Sequence, residues 1–421
     1  MDSTRKNRNL RNLEEQPSRR DFIQAGSSHL AALGVAGLSA TSTRSFTTVR
    51  KEIQIGDFHL RLGQPRVVAE TTSGHCWYPG LEKFSTGELM LNHSLNADVN
   101  TNLTNTQAVY VSTDEGLNFD FAYDVNGFHN GCGEPRISLR DGRIIGTSTY
   151  LKPDPAGQSR RFSAHRWTYD RGGKRYLVEP WGAVVEGLPR DVEPWPRESR
   201  TWWARINWFS DILELDQFVA TISVRFEGDA RWGTVAVASD DGGRHWRYLS
   251  TIAGPDSVPD AKEGFDEPCL VQLADGDLMC VSRVGTGKDQ KLARAYSGDG
   301  GKNWSQVDRL PAFSVAPQLL RLANGALALV TGRPGLFLWI SGDSRGRKWE
   351  SVNLMAHHNR TVPSSFQMNA KQTSAYIDLI EVSPNRVFLV YDRTPFGWEP
   401  VPPNSGERSR IYLLEVKIER V

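Results

Sequence analysis

The sequence predicts an all-β chain folded as a six-bladed β-propeller with four-stranded antiparallel blades, and three observations lead there. A turn of the form Ser-x-Asp-x-Gly-x-x-aromatic recurs four times, and tight strand–turn–strand units recur six times. The 38 Gly and 22 Pro in 421 residues suit short strands and many turns rather than long helices. All-β propellers often run this long as one domain, so residues 46–421 are read as a single propeller.

Residues 1–45 precede that domain and read as a targeting segment. Ser18-Arg19-Arg20-Asp21-Phe22-Ile23 has the form of a twin-arginine signal, followed by an apolar stretch from Leu30 to Leu38 and the small residues Ser39-Ala40. The stretch is shorter than the roughly 20 apolar residues that span a bilayer, so removal after export fits better than anchoring. The expected location is periplasmic or secreted, in a bacterium.

The strand–turn–strand units follow in order. Leu81–Leu91 turns at Thr86-Gly87-Glu88 and Ile137–Ile145 at Asp141-Gly142-Arg143; Ile212–Ala220 turns near Leu215-Asp216 without a Gly. Leu270–Cys280 turns at Asp275-Gly276-Asp277, Leu319–Leu329 at Asn324-Gly325-Ala326, and Leu379–Val390 at Pro384-Asn385-Arg386. Apolar runs joined by such short Gly/Asn/Asp turns read as hairpins, and their regular spacing as blades. The four Ser-x-Asp turns begin at Ser112, Ser239, Ser297 and Ser341 and close on Phe119, Trp246, Trp304 and Trp349. Their aspartates are assigned to the turn, where a carboxylate accepts backbone N–H bonds. Residues 153–198, rich in Pro, Gly and Arg, show no strand period and are read as a surface excursion on the third blade. Arg410–Ile418 has strand-like spacing and is expected to close the ring against the first blade.

Charge and cysteines exclude some functions. Lys and Arg total 50 against 49 Asp and Glu, which gives no electrostatic footprint for nucleic acid or an anionic membrane. Cys76, Cys132, Cys269 and Cys280 lack metal-site spacing, and Cys269 and Cys280 fall offset across one hairpin, so buried free thiols are expected. No phosphate-cradling Gly loop or ligand cluster points to a metal, nucleotide or redox cofactor.

In a propeller the innermost strands line a central funnel, and ligands sit over one end. The starts of those strands present His75, Trp77 and Tyr78; Glu134 and Arg136; Trp203, Arg205 and Asn207; Asp266 and Glu267; Gln318; and Tyr376. The second strands end in Arg225, Arg283, Arg333 and Arg393. Charges on one rim need partners or a ligand.

The Ser-x-Asp-x-Gly-x-x-Trp turns resemble the Asp boxes of the sialidase (neuraminidase) superfamily. Asp266-Glu267-Pro268, followed by Val271–Leu278 and Arg283, is similar to the segment that supplies a glutamate and one carboxylate-binding arginine in that superfamily. Arg333 stands like a second such arginine, and Ser374–Leu379 resembles the segment of the tyrosine nucleophile. The resemblance implies Tyr376 as nucleophile, Glu267 as its base, Asp98 as the acid, and Arg283 and Arg333 as a clamp on a substrate carboxylate. Trp77 stands where the superfamily carries its first clamp arginine, and an aromatic there suits stacking on a sugar. Arg136, Glu134 and Arg205 complete the expected lining. Glu134 and Arg136 read either as an ion pair or as a site in which Glu134 is a second carboxylate.

The implied activity is removal of terminal, acidic sugars from a glycan. An exo-glycosidase using Glu134 and Glu267, a polysaccharide lyase using Tyr376, and a non-catalytic glycan-binding propeller are the open alternatives.

Overall fold

Inner and middle strands of the chain are buried on both faces, which is why they read as unbroken apolar runs such as Gly233–Ser239. The computed structural model describes residues 51–96, 107–125, 135–149, 151–153, 160–170, 175–193 and 206–421. The expected leader, 1–45, lies outside them.

Strands β1–β3 are Lys51–Ile55, Phe58–Leu62 and Arg66–Thr71; β4–β7 are Trp77–Lys83, Leu89–Ser94, Gln107–Ser112 and Asp120–Val125. Strands β8–β12 are Arg136–Ser138, Ile144–Thr147, Lys152–Pro153, Phe162–Asp170 and Arg175–Glu186; β13–β16 are Ile206–Glu214, Phe218–Val224, Gly233–Ser239 and His245–Ala253. Strands β17–β20 are Asp266–Gln272, Leu278–Arg283, Lys291–Ser297 and Asp308–Phe313, and β21–β24 are Val315–Arg321, Leu327–Gly332, Leu336–Ser341 and Glu350–Asn353. Strands β25–β27 are Asp378–Ser383, Arg386–Arg393 and Ser409–Arg420.

β4–β7, β17–β20 and β21–β24 are three four-stranded antiparallel sheets. β8–β12 and β13–β16 form one nine-stranded sheet, joined by the parallel pairing of β12 with β16. All six strand–turn–strand units read from the sequence are antiparallel pairs here. This is the repeated up-and-down geometry of a β-propeller. Adjacent sheets bury their faces against each other: Leu89 and Leu91 pack with Phe388 and Val390, for example. A helix, Leu354–Thr361 (α1), follows β24, capped by the Asn353 carbonyl oxygen of its side chain accepting from Ala356 N–H at 2.8 Å. Among the described residues, no helix is long and apolar enough to cross a membrane.

Two expectations are corrected. Residues 153–198 are not an unstructured excursion of the third unit: they contain β11 and β12, which extend the sheet begun by β8 and β9. Pro180 and Gly182 sit where the β11–β12 register slips, between Ala164 and Arg166 on the partner strand, and this bulge hides the alternation. The closing strand β27 pairs not with β4 but with β26 on one edge and with β2 and β3 on the other. At twelve residues it is long enough to take both N-terminal strands end to end.

Cys269 pairs with Val281 and Leu270 with Cys280, so the two cysteines are offset by one position; both are free and buried, as is Cys76. Cys132 lies outside the described residues.

Candidate functional site

The inner strands share a local device. Tyr78 (φ 51°), Glu267 (φ 42°), Ala316 (φ 47°) and Ala375 (φ 68°) are non-glycine residues in the left-handed region. Pro79, Pro268 and Pro317 follow the first three, and the ladder slips there, between Trp77 and Gly80, Asp266 and Cys269, and Val315 and Gln318. Such bulges re-aim a side chain, and strained backbone of this kind concentrates at functional sites.

Re-aimed in this way, Glu267 at the start of β17 meets Tyr376, which lies just before β25. The Tyr376 hydroxyl donates to Glu267 Oε1, which also accepts from Arg283 Nη1 at 2.9 Å. Glu267 Oε2 accepts the Ala316 N–H at 2.7 Å. Burial pushes the Glu267 carboxyl up, but Arg283, the Tyr376 hydroxyl, the Ala316 N–H and Arg333 outweigh it and hold the group below the usual range. Burial and the Glu267 charge push the Tyr376 hydroxyl well above its usual value, against the pull of Arg333 and Arg283. The resting couple is therefore a neutral phenol bonded to a carboxylate. Tyr376 remains partly exposed, whereas Glu267 is buried.

Arg283 is committed on both sides: its Nη2 donates to Glu263 at 2.6 Å and to Thr286 Oγ1 at 3.0 Å, while its buried Nε has no partner among the described residues. Arg333 is less enclosed. Its Nη2 donates to the Ser374 carbonyl at 2.9 Å, and its guanidinium lies 5.7 Å from the Tyr376 ring centre and 4.9 Å from that of Trp398.

Asp392, fully buried at the end of β26, fixes the tyrosine segment. It accepts from Thr373 Oγ1 and Ser374 N–H, each at 2.8 Å, from Ser374 Oγ, and from the Tyr78 N–H at 3.0 Å. One carboxylate thus ties the start of β4 to the loop before β25.

Three expected residues, Asp98, Glu134 and Arg205, lie outside the described residues, as does Trp203. Tyr376, Glu267, Arg283 and Arg333 are brought together. Two expectations are corrected. Trp77 is 1% exposed, stacked on His75 at 4.6 Å and donating its indole N–H to the Asn96 carbonyl at 2.8 Å, so it offers no face to a sugar. Arg136 is not a substrate contact: buried, it donates to Glu82 at 2.9 Å, to the Leu81 carbonyl at 3.0 Å, and to Asp378. Glu82 and Asp378 belong to other sheets, so the ion triad joins three sheets instead of facing a ligand. Arg225 pairs with Glu193, and Arg393 donates to the Ser365 and Gln367 carbonyls and to Glu407; neither joins the couple.

Sequence reasoning missed Asp392, Glu263 and Trp398. Asp392 adjoins Arg393, which drew attention as a strand end, and it is the only carboxylate in the apolar run of β26. Trp398 sits in Thr394-Pro-Phe-Gly-Trp-Glu-Pro400, where two aromatics in a turn-rich connection are the readable signal.

Residues 213–389 match the family described as BNR repeat-like domain. No curated protein matches the sequence. Among solved structures, the chain is similar to a protein of unknown function from Dyadobacter fermentans at 17% identity, covering 86% of this chain and 99% of that one, with a TM-score of 0.62. It is similar to the α-L-arabinanase of Penicillium chrysogenum complexed with arabinobiose at 12% identity, 84% and 98% coverage, and a TM-score of 0.57. A Hadza microbial sialidase aligns at 14% identity over 82% of this chain and 66% of that one, with a TM-score of 0.54. Residues 213–389 thus carry a BNR repeat-like domain, and over most of its length the chain shares the β-propeller fold of these solved structures.

Proposed function

We propose that the chain is an exported glycoside hydrolase of the sialidase type, which removes a terminal acidic sugar from a glycan. The observation that carries this reading is the Tyr376 hydroxyl bonded to the buried, ionised Glu267 with Arg283 and Arg333 beside them. A sugar with a carboxylate on its anomeric carbon repels a carboxylate nucleophile, and a phenol avoids that repulsion. In the proposed step Glu267 takes the phenolic proton as the Tyr376 oxygen bonds to the anomeric carbon. The leaving oxygen departs with a proton from an acid, for which Asp98 is the candidate. Water, giving a proton back to the same acid, then attacks the anomeric carbon and breaks the tyrosyl–sugar bond, and Glu267 returns its proton to the Tyr376 oxygen. Arg333 receives the substrate carboxylate through charge-assisted bonds. Export rests on the Arg19-Arg20 signal.

A second reading, hydrolysis of a neutral sugar such as an α-L-arabinoside, is favoured by two observations. Arg283 already pairs with both Glu263 and Glu267, and buried Trp77 stands in place of the first clamp arginine. The arabinanase neighbour fits that reading. Glu267 would then work with a second carboxylate, for which Glu134 is the candidate.

A fluorogenic α-sialoside and arabinobiose, each offered to the wild type, Tyr376→Phe and Glu267→Gln, decide between them. Release from the sialoside that falls by about 10²-fold or more in both variants is the expected result. Cleavage of arabinobiose alone, largely retained in Tyr376→Phe, establishes the second reading. Cleavage of neither by folded protein overturns both.

A further inference from the structure

We propose that Trp398 is the stacking wall of this site, taking the apolar C–H face of the terminal sugar while Arg333 holds its polar edge; the inference rests on the reading of the funnel as a sugar site. Trp398 lies in the connection between β26 and β27 and is 43% exposed, and Phe396, two residues before it, is 40% exposed. Exposed tryptophans are ordinarily found on loose segments or at recognition surfaces, and this segment is tied down at both ends.

Thr394 N–H donates to the Gln372 carbonyl at 2.9 Å, and Gln372 Nε2 donates to the Pro395 carbonyl at 3.3 Å. Val401 and Gly74 exchange backbone bonds of 2.9 and 3.1 Å. Gly397 turns the chain with φ +66°, and a Cβ there would lie 3.1 Å from the Lys371 carbonyl oxygen, so the turn is pressed against the tyrosine-bearing segment. The connection therefore reaches from the segment before β25 to the segment before β4.

The indole's surroundings are equally defined. Its ring meets Trp77 edge-on at 5.3 Å and Tyr78 at 6.1 Å, and Tyr78 in turn meets Tyr376 at 4.8 Å. The Arg333 guanidinium is within ring-contact range of both Tyr376 and Trp398. A sugar at Tyr376 that engages Arg333 thus meets the indole beside it. An aromatic face joined to a guanidinium matches a sugar ring, which presents C–H groups on one face and oxygen atoms at its edge. One or two aromatics with a cation between them make a small, mixed patch, unlike the broad apolar area a protein partner covers.

The test uses N-acetylneuraminic acid and arabinose as monosaccharide probes, with binding followed by calorimetry and tryptophan fluorescence on the full mature chain. One of the two should bind the wild type and change its fluorescence. Trp398→Leu should abolish that change and weaken binding by about tenfold, which corresponds to the loss of one good apolar contact. Trp398→Phe should restore affinity to within about threefold, since a smaller aromatic face remains. An unchanged melting temperature in both variants separates this from loss of folding. Affinity unaltered in Trp398→Leu overturns the proposal, and so does failure of both monosaccharides to bind. A protein that cleaves no glycoside yet loses sugar binding in Trp398→Leu refutes the proposed hydrolysis and leaves the stacking wall standing.

Discussion

On the proposed reading, Arg283 holds the reactive residues in place, and its commitments set how acidic a substrate the site can accept. Glu263 and Glu267 share its two ends, so the guanidinium is neutralised before a ligand arrives. Glu263→Gln removes one of these charges while leaving a hydrogen-bonding group, and frees Arg283 to attract a substrate carboxylate. The expected result is a KM for an acidic glycoside about tenfold lower with kcat little changed, the size of one charge-assisted bond. A KM that does not fall assigns Arg283 wholly to positioning Glu267. The adjacent Asp266 behaves oppositely to Glu267. Burial and then the Glu267 charge push its carboxyl up to about 6, and its oxygen accepts the Glu267 N–H at 2.8 Å. A carboxyl whose value is raised on folding favours the fold while protonated, so its contribution is complete below its unfolded value and lost as pH rises through about 6. Asp266→Asn keeps the acceptor without the charge. Its melting temperature relative to wild type should therefore climb between pH 4 and pH 8; a flat difference refutes the assignment.

At the scale of the element, the Ser and Asp side chains of the Ser-x-Asp turns bond within the turn. In the turn at 239–246, Asp241 Oδ1 accepts N–H bonds from Arg244 at 3.0 Å and His245 at 2.9 Å, and Ser239 Oγ accepts the Gly243 N–H at 3.0 Å. Trp246 is fully buried, and its indole N–H donates to the Gly243 carbonyl at 2.9 Å. Burial pushes Asp241 up, but the His245, Ser239 and Arg244 bonds prevail and bring it down to about 2. A depressed carboxyl stabilises above its unfolded value, so this contribution should vanish as pH falls from about 4 to about 2. Asp241→Asn should lower the denaturation midpoint at pH 7 and not at pH 2, and Trp246→Ala should cost about 3–5 kcal/mol at both. Equal effects of Asp241→Asn at both pH values refute the charge argument. Such turns were legible in the sequence because the bonds that the Ser and Asp side chains make close within the turn itself. The six hairpins were legible for a related reason, since apolar runs flank each short turn. β11 and β12 were not, because a bulge at Pro180 and Gly182 breaks the period, and β27 did not disclose its partners, which lie some 350 residues away in β2 and β3. Of the site, Tyr376, Glu267, Arg283 and Arg333 could be read from local motifs. Trp77 and Arg136 were misread because their partners, Asn96 and Trp398 for the one and Glu82 and Asp378 for the other, come from other segments of the chain, so local sequence does not show that they are buried.

For the whole molecule the question is what holds the sheets in one ring. β27 makes one closure, pairing the C-terminal chain with β2 and β3. The Glu82–Arg136–Asp378 triad makes another, further along the inner strands than the Tyr376–Glu267 couple, since Asp378 is two residues beyond Tyr376 and Glu82 four beyond Tyr78. Asp378 Oδ2 also accepts the Leu81 N–H at 2.9 Å, so Arg136 completes a network that joins β4, β8 and β25. Burial pushes Glu82 up and Arg136 opposes it. Arg136→Ala would leave two carboxylates in the interior without their counter-charge, and stranding a buried ion in this way costs about 3–5 kcal/mol. The penalty must depend on pH with a known sign. Without Arg136 the Glu82 carboxyl rises further, and a raised carboxyl loses its stabilising contribution as pH increases. Denaturant unfolding of Arg136→Ala should therefore show a deficit that widens from pH 5 to pH 8. Glu82→Gln in the same chain should recover part of it, because one of the stranded charges is then gone. A deficit below about 1 kcal/mol would class the triad with exposed ion pairs, whose worth is of that size, and leave the closure of the ring to β27 alone.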